Sequence, residues 1–130
     1  MTTTTDDGLE VVGDLLIGAV SGQINALAIG SGTGSETTDA TSLNNEEYRA
    51  PLTNSNVELI ETGQTGESEL IIRVKGGTEV PAGTPITEMG AFFNGDGGGG
   101  TLVFVDNFDA KTIEAGHTEE FTIPTDYQRG

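Results

Sequence analysis

The sequence has no cysteine, no tryptophan, one histidine and five cationic side chains, and each shortage removes a class of function. Without cysteine there is no disulfide framework, no thiolate metal site and no cysteine nucleophile. A single histidine, His117, leaves Ser/His catalysis formally open but makes a transition-metal site a poor expectation. The cations Arg49, Arg73, Lys75, Lys111 and Arg129 are scattered, so no basic patch is available to neutralise a phosphate backbone, and nucleic acid is excluded as a partner. The longest apolar run, Leu15 to Val20, includes a glycine and falls far short of the roughly 20 residues that span a bilayer, so no membrane insertion is expected. The start of the chain, Met1-Thr-Thr-Thr-Thr-Asp-Asp, lacks the basic segment of a signal peptide, which predicts a protein without its own export signal.

What is present is acid. The 130 residues carry 21 Asp and Glu, giving a formal net charge of −16. Leu, Ile, Val and Phe together supply 31 residues, just above the ~20% below which a strongly charged chain stays disordered, so one domain with a small core is expected. Twenty glycines and four prolines imply many turns. The acids run from Asp6 to Asp126 with never more than two in succession, unlike a clustered acidic tail. Such a surface repels itself in dilute buffer, whereas near 1 M salt the screening length falls to ~3 Å and the repulsion largely disappears. The composition therefore points to a salt-rich environment. An ordinary acidic protein and a DNA mimic are the alternatives, and a mimic would gather its acids on one face.

Along the chain, residues 1–8 read as a flexible tail and 9–130 as a single β-sandwich domain. Apolar residues at 9, 12, 16 and 19, with 11, 15 and 20 beside them, predict a short helix over about 9–20. Ile24 to Ile29 reads as a strand entering a glycine loop, and the polar stretch Thr37 to Arg49 allows one helical turn around Leu43. Further strands are expected at Asn56–Glu61, at Glu69–Lys75 where Leu70, Ile72 and Val74 alternate with Ile71, Arg73 and Lys75, at Ile86–Asn94, at Thr101–Phe108 and at Glu119–Pro124. Thr62 to Glu67 and Gly95 to Gly100 read as hairpin connections. Short strands separated by Gly/Asn/Asp turns predict a mainly β fold, an antiparallel β-sandwich or small barrel with one short N-terminal helix.

No constellation of catalytic residues emerges. Gly30-Ser-Gly-Thr-Gly34 follows a strand but lacks the Gly-Lys-Ser/Thr ending of a P-loop and the third glycine of a dinucleotide fingerprint, and reads as a turn. Asn94-Gly-Asp96, with Asp106 and Asp109 expected nearby, offers few of the six to eight oxygens that Ca²⁺ takes, and reads as a hairpin tip. His117 sits in a polar turn, and no serine lies in a Gly-x-Ser-x-Gly elbow, so no enzyme, cofactor or metal is expected. Glu88 stands out because it interrupts an apolar strand. Simple alternation puts Ile86, Glu88 and Gly90 on one face. If that face is buried, the carboxylate needs a partner. Arg49 is the first choice, with Arg73 or a set of backbone N–H donors as alternatives.

Four motifs in order carry a resemblance: Ala28-Ile29-Gly30-x-Gly32-Thr33; Thr41-x-Leu43-x-x-Glu46-x-x-Arg49; Ile86-Thr87-Glu88-Met89-Gly90-Ala91-Phe92; and Gly99-Gly100-Thr101-Leu102-Val103 with Phe108. Over roughly residues 24–110 the chain resembles a domain of the tail-fibre and tail-collar proteins of tailed viruses, and the acidity extends this to a virus of a halophilic archaeal host. The resemblance implies a non-enzymatic virion protein, assembled in the host cytoplasm with other virion proteins. It would act as a homo-oligomer, trimer first and pentamer second, in a tail, fibre or baseplate. Gly30, Gly32, Glu46, Arg49, Glu88, Gly90 and Phe92 would be its structural motif residues. The predicted helix is too apolar to stand alone on a surface, which makes Leu9, Val12, Leu16 and Ala19 the expected interface. A capsid decoration or turret protein is the alternative within the virion. A carbohydrate-binding surface module of a halophile is the alternative outside it, disfavoured because five of the seven aromatics are Phe in strand patterns.

Overall fold

The computed structural model describes residues 2–61 and 67–126. Two antiparallel sheets pack face to face as a sandwich, without closing into a barrel. The larger sheet has the order β1(Thr3–Thr4), β7(Thr101–Ile113), β6(Thr84–Phe93), β2(Ile24–Gly30), β3(Glu46–Pro51). The smaller has β4(Val57–Glu61), β5(Glu67–Lys75), β8(Thr118–Asp126). The turn expected at Thr62–Glu67 falls almost wholly outside the described residues.

Alternation along the strands builds the core. Leu70, Ile72 and Val74 of β5 face Leu27 and Ile29 of β2 and Met89, Ala91 and Phe93 of β6 across the sandwich, and all are buried. Each such side chain contributes roughly 1.5–3 kcal/mol by leaving water. The larger sheet has a second apolar face: Ala26, Ala28, Phe92, Leu102 and Val105 point outward, with Leu43 packed among them. The segment 31–45, between β2 and β3, brings Leu43 onto this face in place of a second sheet. Leu43 is 6% exposed in an irregular segment rather than in the expected helical turn, because what holds it is its docking on the sheet and not local periodicity.

The beginning of the chain departs from expectation. Of the expected flexible tail 1–8, the described residues 2–8 are not free: Thr3 and Thr4 pair with Val105 and Phe104, and Thr5 is fully buried. Thr5 caps α1(Asp6–Leu16), its hydroxyl accepting from Gly8 N at 2.9 Å, while Asp6 and Asp7 favour the positive end of the helix. The helix thus starts three residues before the predicted Leu9. It also stops at Leu16 rather than near 20, because Gly18 adopts φ +74° and closes a Schellman cap in which Ala19 N donates to Asp14 O and Gly18 N to Leu15 O. Both ends have sequence signals, a Thr-Asp-Asp start and a glycine stop. The hydrophobic period alone obscures them.

Candidate functional site

Ile29, Ile86, Met89, Ala91 and Val103 face the inner core, while all four motifs send residues to the outer face of the larger sheet, among them Ala28, Leu43, Phe92 and Leu102. Glu88 is fully buried there, the only acid among the described residues to be so. Its partner is not Arg49. Oε1 accepts from Ser35 Oγ at 2.7 Å and Asn44 N at 2.9 Å, and Oε2 from Gly32 N and Asn45 N, both at 2.8 Å. Four donors match the acceptor-only character of a carboxylate and replace the water it lost. The expected alternation also fails at one step. The β6–β7 register slips between Ile86 and Glu88, so Ile86 and Met89 both enter the main core. Glu88 turns with Gly90 and Phe92 to the other face, the one Leu43 covers.

Glycines make room for this carboxylate. A Cβ on Gly32 would lie 2.6 Å from Glu88 Oε2, and one on Gly30 would collide with the same oxygen and with the Asn45 carbonyl. Gly90 likewise admits Leu102 and Leu43, whose methyl groups would lie 2.8 and 3.1 Å from an added Cβ. Asn107 of β7 supports the arrangement from behind, its Nδ2 donating to Ser35 Oγ at 2.8 Å. It also exchanges bonds with Glu36, accepting from Glu36 N at 2.8 Å while its own N–H donates to Glu36 Oε1 at 2.9 Å. Segment 31–45 is therefore fastened at both ends to β6 and β7.

Arg49, on β3, has a different task. Its Nε and Nη2 hold the Glu46 carboxylate at 3.1 and 2.7 Å, and its Nη1 reaches the carbonyls of Gly95 and Gly99 at 3.0 and 2.7 Å. The guanidinium lies 3.8 Å over the Phe92 ring. One planar cation so ties together β3, β6 and the glycine turn after β6. Asn94, with φ +51°, accepts from Gln23 N at 3.4 Å and donates to Ser21 O at 3.2 Å, so its side chain is occupied in holding segment 21–23. Asp106 and Asp109 are not beside that turn. Five residues of extended strand separate Thr101 at the turn from Asp106, about 16 Å.

A pair of carboxyls lies where β1, β7 and segment 31–45 meet. Glu36 and Asp106 are hydrogen-bonded to each other. Burial works against ionising Glu36, but the Asn107 N–H, Asp106 and the Thr3 hydroxyl outweigh it and hold Glu36 below its ordinary range. Burial, with the Glu36 bond added, pushes Asp106 up. The two shifts run in opposite directions, so as pH rises Glu36 gives up its proton before Asp106 does.

Of the expected interface residues, Leu9 and Leu16 are 58% and 83% exposed, Val12 is half-buried, and Ala19 is exposed beyond the end of α1. Ile17, absent from that expectation, is 79% exposed. His117 lies exposed in the turn before β8, its N–H bonded to Glu114 O. Among the described residues no aromatic side chain is exposed. The chain matches no known protein family, no curated protein and no solved structure.

Proposed function

We propose that this chain is a non-enzymatic structural subunit that works as a homo-oligomer, trimer first and pentamer second, in the virion of a tailed virus of a salt-loving host. Its place is in the tail, fibre or baseplate, with capsid decoration as the alternative. The observation that carries this reading is the outer side of α1: Leu16 and Ile17, 83% and 79% exposed, on a chain of net charge −16. Large apolar groups left in water on so polar a surface favour a partner. The motif residues support the same reading, because Glu88, Arg49 and their neighbours are occupied in fastening loops to a sheet and present a rigid scaffold. The virion context rests on the order of the four motifs and on the acidity.

Size-exclusion chromatography with light scattering, in molar KCl and in dilute buffer, tests the self-association. A discrete assembly that forms in molar salt and weakens on dilution of the salt supports it. A monomer at micromolar concentration in molar KCl overturns it. A carbohydrate-binding module would place aromatic faces in solvent, and the half-buried Tyr48 and Phe108 speak against that reading.

A further inference from the structure

We propose that the exposed end of α1 in one copy, Leu16 and Ile17, packs into an apolar cavity on a neighbouring copy; this inference rests on the self-association proposed above. The cavity, about 330 Å³, lies between the inner side of α1 and both sheets. Val11, Leu15, Ile24, Leu59, Leu70 and Phe93 are among its walls. An apolar cavity of about 150 Å³ already admits a benzene-sized guest, so this one has room for aliphatic side chains. Leu59 both lines it and is 57% exposed, which marks the rim.

The occupant follows from charge. None of the thirteen lining residues is ionisable. The plug side chains are themselves uncharged, and after Asp14, one turn back on the helix, the chain carries no charged side chain until Glu36, its longest such stretch. Two copies of a chain of net charge −16 meet with least repulsion where neither presents a carboxylate, and here the same molecule carries a neutral hole and an apolar knob. A cationic partner would be drawn to the acids elsewhere. The Schellman cap at Gly18 ends the helix abruptly after Leu16, so Ile17 stands at its tip rather than being covered by a further turn. The contact joins two different surfaces, the helix tip and the cavity. It closes as a pair when made reciprocally, and as a ring when made one way around an axis.

Absence of native cysteine makes the test direct. Ile17→Cys and Leu59→Cys chains are mixed in dilute buffer, brought to molar KCl and treated with a short thiol-to-thiol cross-linker. Mixed Ile17→Cys/Leu59→Cys dimers should dominate over either self-linked product. Leu16→Asp, at an exposed position, should lose the assembly while the monomer still folds, its melting temperature in dilute buffer lowered only slightly by an acid at the negative end of the helix. If only self-linked Ile17→Cys dimers form, or Leu16→Asp assembles like the parent, the cavity proposal is wrong and self-association stands. A parent chain that stays monomeric in molar KCl sinks both.

Discussion

Glu88 shows how a buried charge is accommodated without a counter-ion. Its four donors come from segment 31–45, three of them backbone N–H groups, so the carboxylate acts as a peg to which an irregular loop is tied. Removing the peg strands one buried and three part-buried donors, and a donor left unsatisfied in the interior costs about 1–3 kcal/mol. Glu88→Ala should lower stability by roughly 3–5 kcal/mol in urea titrations, the range for breaking a buried charged network. Acetate or formate should restore part of that loss by occupying the vacated anion position. An equal loss with and without these anions would mean that the donors find water instead. Asp106 supplies a second residue-level prediction, one of pH. A raised folded pKa contributes stability below the unfolded value, near 3.8, that is lost as pH rises through the folded value. Asp106→Asn removes this ionisation, so its advantage in melting temperature over the parent should be largest at neutral pH and shrink as pH falls to about 4. A difference independent of pH would count against a raised Asp106.

At the scale of elements, the N-terminal arm is a docked strand-and-helix unit. It seats on an irregularity in β7: the register slips between Ala91 and Phe92 of β6, and the Val103 carbonyl opposite is free to accept from Thr5 N at 2.9 Å. Gly8 then lies against Val103, where an added Cβ would be 2.8 Å from both its Cα and its carbonyl oxygen. Gly13, in the same helix, has nothing within 4 Å. The two glycines should respond oppositely to the same change. Gly8→Ala should destabilise by about 1–3 kcal/mol through the clash, although Ala is the better helix former. Gly13→Ala should stabilise by roughly 0.5–1 kcal/mol through helix propensity. Thermal melts of the two variants decide; equal responses would show that α1 does not dock on β7 in solution.

For the molecule as a whole, the dominant fact is uncompensated charge. Arg73 bridges Glu58 and Glu120 across the smaller sheet at 2.8 and 3.1 Å, and Lys111 meets Glu119 at 3.3 Å. These are solvent-exposed pairs worth at most about 1 kcal/mol each, too few and too weak to offset a net charge of −16. Unfolding lets the acids move apart, so in dilute buffer repulsion favours the unfolded chain. Melting temperature should therefore rise between 0.1 M and molar KCl. A flat profile would remove the argument for a salt-rich setting.

The sequence by itself determined the fold class and the principal strands, because the period-two pattern of Leu70, Ile72 and Val74 is a local property that survives burial unchanged. It also singled out Glu88 as a residue in need of partners. Which partners, only the tertiary structure decided. Backbone N–H groups of Gly32, Asn44 and Asn45 leave no trace in residue type, since almost every residue has one, whereas a guanidinium such as Arg49 is conspicuous in a sequence. The register slip before Glu88 is equally silent, because it arises where unequal lengths of β6 and β7 are matched, a relation between two strands rather than a property of either. The docked arm follows the same rule. A threonine-rich, charged start resembles a loose end until Val103, almost a hundred residues later in the chain, offers its carbonyl to Thr5.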